Sequence, residues 1–274
     1  MTPSNPRERS PERGTIMPHS PQLLLPQMLL GLFLAGIVAA LAYRANALTW
    51  SGALASWGVG AIIFGFGGWV WAAALLTFFG TSTALSRWRR RAKEDLGYEK
   101  GVRRDSGQVL ANGGLAALCA LLPVFSVNMA LAHLLFLAAL AAANADTWAT
   151  EIGSALGGRP YDLRTGKPAP LGTSGAVSLP GTLAALAGAG LIGLFAGGGV
   201  GWGVVTASGL AGALLDSLLG ATVQARWHDP LRPGLFTEHP QAGRPPLGQR
   251  GINNDVVNAL CTLGAVALAF CLLK

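Results

Sequence analysis

The sequence predicts an all-α fold, a polytopic bundle of about eight transmembrane helices. Apolar residues make up 51% of the 274 positions, charged residues only 12%, and there are 38 glycines, a composition typical of membrane proteins. Apolar stretches of about 17 to 22 residues recur along the chain, and helices of this length cross about 30 Å of hydrocarbon. Short connections rich in Gly, Pro and charged residues separate these stretches.

The spans follow one another in a single integral-membrane helical domain, residues 22–274. Residues 1–21, rich in Pro, Ser and Arg, have too little apolar content to pack, which predicts a disordered tail. The small residues at 45–47 resemble a signal-peptide cleavage site, but the first apolar run is longer than a usual signal-peptide core. We therefore assign it as a span. The predicted spans are residues 23–43, 48–64, 68–86, 108–124, 129–145, 179–195, 201–222 and 255–273.

Lysine and arginine concentrate on one side of this eight-span arrangement. Only Arg7, Arg9, Arg13 and Lys274 fall on the other side, so 16 of the 20 basic residues share one face. By the positive-inside tendency that face is cytoplasmic, which predicts a multi-pass protein of the cell membrane. The net charge of +7 then reflects topology and attraction to anionic lipid, and no nucleic-acid partner is expected.

Residues 144–153, Asn-Ala-Asp-Thr-Trp-Ala-Thr-Glu-Ile-Gly, end the fifth span with two carboxylates. A charged Asp at membrane depth costs about 2 to 3 kcal/mol or more, so it is usually paired, metal-bound or hydrated. At 100° per residue Asp146 and Thr150 share a helix face, whereas Asp146 and Glu151 differ by about 140°. Both carboxylates reach one ion only if the helix breaks, which Gly153 and the following loop would allow. Burial against a neighbouring helix, without a function, is the alternative.

Other carboxylates and amides are predicted to lie at the same face. Asp105 precedes the fourth span, Asp216 lies in the last turns of the seventh, and residues 253–255 open the eighth. Residues 253–255 are equally consistent with a helix cap, whereas Asn258 lies inside the apolar segment. Carboxylate and amide oxygens are ligands that Mg²⁺ prefers, and Mg²⁺ usually bridges them to substrate phosphates. The predicted convergence therefore indicates a Mg²⁺-dependent phosphoryl site.

The loop Gly172-Thr173-Ser174-Gly175 leads into the sixth span and follows Lys167. Glycines, hydroxyls and the free N–H groups of a helix start can together bind an anion. The lysine precedes the glycines, so this is not a Walker A sequence, and a capped helix entry is the alternative. Because the loop lies between two groups of carboxylates, we interpret it as phosphate-binding.

Basic and polar residues also flank the start of the fourth span. Arg103 and Arg104 precede it, and polarity continues into the membrane as far as Asn112. These three and Asp105 are the better candidates for a phosphate-binding segment, whereas the arginines at 89–91 are typical of a solvated positive-inside loop.

Nothing in the sequence indicates a nucleophile with its base. His133 is alone inside the fifth span, and we expect a packed or hydrogen-bonded side chain. Cys119, Cys261 and Cys271 lie in apolar stretches without metal-ligand spacing, and we expect three small buried hydrophobic side chains.

Five motifs, residues 103–114, 144–153, 172–178, 214–222 and 253–258, carry a family resemblance. They resemble the integral-membrane family that includes transmembrane protein nineteen and the plant phytyl-phosphate kinase, and the resemblance covers about residues 22–274. The order of an Asp motif, a basic Gly-containing loop and a Gly-Thr-Ser-Gly helix start is also similar to that of CTP-using phytol and dolichol kinases and CDP-lipid synthases.

The resemblance implies a nucleotide-dependent kinase that phosphorylates an isoprenoid monophosphate, phytyl or prenyl, to the diphosphate. It implies Mg²⁺ as cofactor, CTP or ATP as donor and a lipid phosphate as substrate, with Arg103 and Arg104 orienting the acceptor. The expected catalytic residues are Asp146, Glu151, Asp216 and Lys167; the expected metal ligands are Asp146, Asp216, Asp255 and Glu151; the expected phosphate-binding residues are Arg103, Arg104, Asn112, Thr150, Gly172, Thr173, Ser174, Gly175, Asn254 and Asn258.

Two other functional classes are consistent with acids at helix ends. One is a transporter or flippase for a phosphorylated lipid, which would place polar residues near the membrane midplane and show an internal repeat; the sequence shows neither. The other is a nucleotidyltransferase similar to the CDP-lipid synthases. A purely structural role leaves the carboxylates without a purpose.

Overall fold

The structure is a computed structural model, and it describes residues 21–88, 103–171, 173, 175–228, 236–237, 240–241 and 243–274. The predicted tail, residues 1–21, lies outside the described residues except for its last position. Gly172 and Ser174 of the predicted phosphate-binding loop also lie outside them.

Eight helices of the described chain are long and apolar enough to cross a membrane, which confirms the predicted number of spans. Their caps agree with the sequence: Thr49, Asp105, Asn128, Ser178 and Asn253 each accept a hydrogen bond from an N–H of the first turn. The helices are α1 (Pro21–Arg44), α2 (Trp50–Gly67), α3 (Trp69–Arg87), α4 (Ser106–Leu121), α5 (Met129–Leu156), α6 (Leu179–Gly193), α7 (Gly199–Thr222) and α8 (Asn254–Leu272).

Helix α5 is longer than the sequence predicts, because it continues eleven residues beyond the predicted end at Ala145. It ends at Gly157, whose φ of 72° is favourable only for glycine. Gly153 does not break the helix; it allows α6 to approach, since a Cβ there would lie 3.1 Å from the Cα of Gly181. The expected unwinding that would have let Asp146 and Glu151 reach one ion is therefore absent.

Helix α5 is also the centre of the bundle, with α3, α4, α6, α7 and α8 packed around it. Its middle, residues 132–145, is alanine-rich and almost fully buried. Gly209 and Gly212 of α7 lie against it, because a Cβ on either would come within 2.6 Å of the Cβ of Ala141 or Ala142. Small residues on both helices let the backbones approach closely, as in other membrane bundles.

A buried amide joins α5 to two neighbouring helices. Asn144 is fully buried; its Nδ2 donates to the Gly188 carbonyl of α6 at 2.8 Å. Its Oδ1 accepts from Thr81 at 3.2 Å and from Ser82 at 3.4 Å, both on α3. Asn144 therefore has a structural role at the junction of three helices.

Asn144→Ala is expected to lower the free energy of unfolding by about 1 to 3 kcal/mol, because it leaves buried polar partners unsatisfied. Denaturant unfolding in detergent measures this change. Thr77→Ala is the matched control. The Thr77 hydroxyl donates to the Ala73 carbonyl of its own helix, so its removal is expected to change the free energy of unfolding by less than about 0.5 kcal/mol. Equal effects of the two changes would contradict the structural role.

One end of the bundle, which we call the basic end, carries the connections α1–α2, α5–α6 and α7–α8 and the residues before α4. Leu48 and Arg104 form an isolated parallel bridge between the α1–α2 turn and the residues before α4. In the α5–α6 connection, β1 (Tyr161–Asp162) pairs antiparallel with β2 (Ala176–Val177). In the α7–α8 connection, β3 (Trp227–His228) pairs antiparallel with β4 (Phe236–Thr237).

Candidate functional site

Two carboxylates from different helices meet near the basic end of the bundle. Asp146 lies on α5 ten residues before its end, and Asp216 lies on α7 six residues before its end, about 15 Å and 9 Å along the respective helix axes. Their carboxyl groups are close enough to interact electrostatically. The pair therefore places two carboxyl groups in a low-dielectric site, where a cation would offset the repulsion between their charged forms.

The pair lies one helical turn from a close contact of three helices. A Cβ on Gly212 of α7 would meet the Ala142 Cβ of α5 at 2.6 Å and the Cys261 carbonyl of α8 at 3.1 Å. Asp146 lies four residues after Ala142 on α5, and Asp216 lies four residues after Gly212 on α7. Each acid therefore lies on the same helix face as the contact, one turn closer to the basic end. Helix geometry and close packing, rather than a loop, bring these two acids together.

Cys261 belongs to this site, although the sequence indicates only a small buried hydrophobic side chain. Its Sγ donates to Asp216 Oδ2 at 3.4 Å, and the thiol also interacts electrostatically with Asp146. It is 3% exposed. The thiol thus orients one carboxylate of the pair. Of the other cysteines, Cys119 is buried as expected, whereas Cys271 is exposed, which corrects the prediction for that residue.

If the carboxylate pair binds Mg²⁺, Cys261→Ala is expected to raise the Mg²⁺ concentration for half-maximal binding about threefold to tenfold, because Asp216 loses a hydrogen-bond donor. Cys261→Ser keeps a donor of similar size and is expected to stay close to the wild-type value. Titration of both variants with Mg²⁺ measures the difference. If both variants keep the wild-type value, the thiol does not orient Asp216.

Glu151 lies on another side of α5 and contacts α3. Its Oε1 accepts from Ser86 at 2.7 Å. Because α5 is unbroken, Glu151 stays about 140° around the helix from Asp146. Within the described residues, no three Asp, Glu, His or Cys side chains form a group that could hold a metal ion. The structure therefore brings together Asp146 and Asp216, but not the expected set of four acids.

Asp255 contacts the start of α4 instead. Its Oδ2 would lie 2.6 Å from a Cβ on Gly107, and Asp105 Oδ1 would lie 3.4 Å from the same position. Asn253 is the cap of α8, since it accepts from the Val256 N–H at 3.0 Å, and this confirms the helix-cap interpretation for that residue.

Farther along α8 is Asn258, three residues before Cys261, with 8% of its surface exposed. Asn254, in the first turn of α8, is half-buried. Of these amides, Asn258 lies nearer along the helix to the carboxylate pair.

The loop between α5 and α6 is attached to the end of α7. Gly175, at φ 80°, lies directly against the Ala221 backbone, where no side chain would fit. Thr173 Oγ1 is buried without a hydrogen-bond partner in the described chain. The start of α6 is capped by Ser178, which accepts from the Gly181 N–H at 3.3 Å. The capped helix entry is thus observed, and among the described residues of the Gly172–Gly175 loop Thr173 has a buried hydroxyl that could contact a ligand.

Lys167 is exposed in the turn between β1 and β2, where its backbone N–H donates to Thr165 Oγ1 at 3.4 Å. Its charge does not contribute to the environment of Asp146. The structure therefore does not place it beside the carboxylate pair.

Arg226 is a buried residue that the sequence does not single out. Only 4% of it is exposed, and its guanidinium donates to the Ala221 carbonyl at 2.8 Å. Burial lowers the pKa of Arg226, while the nearby Asp162 carboxylate opposes that change. A cation at the C-terminus of α7 stabilises that helix end; Arg226 lies ten residues after Asp216 in the chain.

The two arginines before α4 differ in their surroundings. Arg103 donates twice to the Leu48 carbonyl, from Nε at 3.2 Å and from a terminal nitrogen at 3.1 Å. Arg104 lies over the rings of Phe78 and Phe79, with centroid distances of 5.6 and 5.9 Å.

The remaining expected residues lie on α4 and α5. Asn112 donates from Nδ2 to the Gln108 carbonyl of its own helix at 3.1 Å. Thr150 is exposed, one turn beyond Asp146 on the same helix face. His133 is packed as predicted: it lies near Trp71 and donates from Nε2 to the Phe195 carbonyl at 3.0 Å.

Comparison with other sequences shows relatives across archaea and plants. An uncharacterized membrane protein of Methanocaldococcus jannaschii is 32% identical, with 74% of this chain and 85% of that protein covered. Protein PGR of Arabidopsis thaliana is 29% identical over 76% of this chain and 82% of its own length. The chloroplastic protein VTE6 of the same plant is 32% identical over 59% of this chain and 45% of its own length.

No solved structure matches the chain. Residues 33–266 match the family described as integral membrane protein DUF92. This range includes Asp146, Asp216 and Cys261, together with most of the eight helices. The chain is therefore a multi-span integral membrane protein that belongs to the DUF92 family.

Proposed function

We propose that the protein is a Mg²⁺- and nucleotide-dependent phosphotransferase that converts an isoprenoid monophosphate to the diphosphate. It is supported above all by the meeting of Asp146 on α5 with Asp216 on α7, one helical turn beyond the close contact of Gly212 with Ala142 and Cys261. The family resemblance to the plant phytyl-phosphate kinase supplies the class of reaction. The reaction would take place at the cytoplasmic side of the cell membrane, since the site lies toward the basic end.

The carboxylate pair fits a magnesium ion. Mg²⁺ usually keeps several waters and is held by one or two carboxylates together with substrate phosphates. Two acids therefore suffice, and no third acid is needed. Asn258, on the α8 segment that leads to Cys261, would add an amide oxygen. In this proposal Asp255 and Glu151 support neighbouring helices instead of binding the metal.

When bound, Mg²⁺ would neutralise negative charge on the donor phosphates. Asp146 and Asp216 would hold it, and Cys261 would keep Asp216 oriented. Thr150, exposed on the Asp146 face, and Thr173 in the α5–α6 loop would contact the donor of CTP or ATP type. Lys167, with Gly172 and Ser174 of the same loop, would contact the donor phosphates on the side away from the metal.

The acceptor in this proposal is itself a phosphate. An acceptor oxygen attacks the terminal phosphorus of the donor, the bond to the leaving nucleoside diphosphate breaks, and a diphosphate linkage forms. Because the acceptor oxygen is already anionic, no base has to remove a proton. This agrees with His133, which is packed against Trp71 and Phe136, away from the carboxylate pair. The isoprenoid chain would remain in the bilayer beside the helices.

The direct test incubates the purified protein in nanodiscs with Mg²⁺, γ-labelled CTP or ATP, and a panel of isoprenyl monophosphates. Label in a lipid diphosphate, lost on chelation of Mg²⁺, is the expected result. Transfer of an α-labelled nucleotide to the lipid would instead show a nucleotidyltransferase. Protein-dependent movement of the lipid phosphate across vesicles, with no label transfer from either donor, would show a transporter. Either of these results overturns the kinase.

A further inference from the structure

Arg103 and Arg104 are adjacent in the chain but differ in what their guanidinium groups bind. Arg103 uses Nε and a terminal nitrogen on the Leu48 carbonyl. Arg87, at the end of α3, donates to the Ala45 carbonyl of the same turn. Arg103 and Arg87 therefore hold the α1–α2 turn against the rest of the basic end, which is a structural role.

Arg104 is fixed by its main chain and not by its guanidinium. Its N–H donates to the Ala47 carbonyl at 2.9 Å, and its carbonyl accepts from the Thr49 N–H at 3.0 Å. Gly52 of α2 lies directly against the same carbonyl, where a side chain would not fit. The backbone of Arg104 is thus locked between the α1–α2 turn and α2, which sets the direction of its side chain.

The guanidinium of Arg104 lies over Phe78 and Phe79 of α3. Within the described chain it makes no hydrogen bond or ion pair, in contrast to Arg103. The adjacent carboxylate, Asp105, is used instead by the Gln108 N–H of α4 at 3.0 Å. Burial lowers the pKa of Arg104 to about 10, so at neutral pH the group is charged.

A half-buried cation without an anionic partner is costly, because a charge removed from water requires pairing. A planar guanidinium presents paired donors that match the oxygens of a phosphate. Arg104 lies just before the membrane-spanning helix α4 and beside the apolar α3. This position favours an anion that belongs to a membrane lipid.

From this geometry we propose that Arg104, and not Arg103, binds the phosphate monoester of a membrane lipid at the basic end of the bundle. The proposal does not depend on phosphoryl transfer, because binding of the anion requires neither nucleotide nor Mg²⁺. If the protein is the proposed kinase, the acceptor phosphate is the natural occupant.

The test measures thermal unfolding of the full chain in phosphatidylcholine nanodiscs, without nucleotide or Mg²⁺. One series contains increasing phosphatidic acid, a lipid phosphate monoester, and a parallel series contains inorganic phosphate in the buffer. Wild type, Arg104→Gln and the matched control Arg103→Gln are compared in both. Since the readout is binding, it stays informative even if the protein transfers no phosphate.

Phosphatidic acid is expected to raise the unfolding temperature of wild type and Arg103→Gln, with apparent affinity reduced about tenfold or more in Arg104→Gln. Protection by inorganic phosphate alone, lost in Arg104→Gln, would support the anion site but assign it to a soluble phosphate. If Arg104→Gln does not fold, Arg104→Lys should fold and bind phosphatidic acid several-fold more weakly than wild type. Lysine keeps the positive charge but lacks the planar, paired N–H donors of the guanidinium.

Two results would overturn the proposal. One is the absence of protection by either probe in the wild type. The other is an equal loss of affinity in Arg103→Gln and Arg104→Gln.

Discussion

Asp146→Asn is expected to lower Mg²⁺-dependent phosphoryl transfer about a hundredfold or more. The change keeps the size of the side chain but removes one of the two carboxyl groups that meet between α5 and α7. Asp216 alone would hold the cation weakly, so the negative charge of the donor phosphates would not be neutralised. Initial rates across a range of Mg²⁺ concentrations measure the effect, and more Mg²⁺ is expected to restore only part of it.

Glu151→Gln is the matched control on the same helix. Glu151 accepts from Ser86 on α3, and a glutamine can still accept that bond. Its rate is expected to stay within about threefold of wild type. A loss as large as that of Asp146→Asn would mean that Glu151 belongs to the reacting centre, contrary to the side of α5 on which it lies.

Gly212→Leu is expected to produce the largest loss of stability, about 3 kcal/mol. A side chain at Gly212 would have to enter the contact where α7 meets Ala142 of α5 and Cys261 of α8. The three helices would move apart, so Asp146 and Asp216 would separate and cation binding would fall as well. Thermal unfolding in detergent, with and without Mg²⁺, measures both effects.

Gly203→Leu tests whether the close contact, and not the loss of a glycine, causes the effect. Gly203 is on the same helix, and nothing lies within 4 Å of a Cβ at that position. Its unfolding temperature is expected to stay close to that of wild type. Equal destabilisation by both leucines would show that the approach of α7 to α5 does not depend on Gly212.

Much of the fold follows from patterns that can be read along the chain. The eight spans are predicted because each apolar run must satisfy its own backbone hydrogen bonds within a helix in the bilayer. The meeting of Asp146 with Asp216 is also predictable, since both fall near the same end of spans that run in the same direction. In each case the information is local to a span or follows from its orientation.

The contacts between particular side chains depend on packing, which the chain order does not contain. The sequence does not predict the end of α5 at Leu156, because the polar residues after Ala145 resemble a loop, whereas the helix continues through them with most of these residues half-buried. The sequence indicates a core position for Cys261, because its apolar surroundings do not reveal its hydrogen-bond partner Asp216 on α7. Ser86 was missed as the partner of Glu151 for the same reason.

In the proposed site Asp146 and Asp216 hold one divalent cation together. Binding of Mn²⁺, a paramagnetic substitute for Mg²⁺, can be counted by electron paramagnetic resonance in wild type, Asp146→Asn, Asp216→Asn and the double variant. We expect the wild type to bind one Mn²⁺ per chain. The affinity for Mn²⁺ is expected to fall about tenfold or more in either single variant, with little further loss of affinity in the double variant. Wild-type affinity for Mn²⁺ in both single variants would show that the two carboxylates do not share a cation.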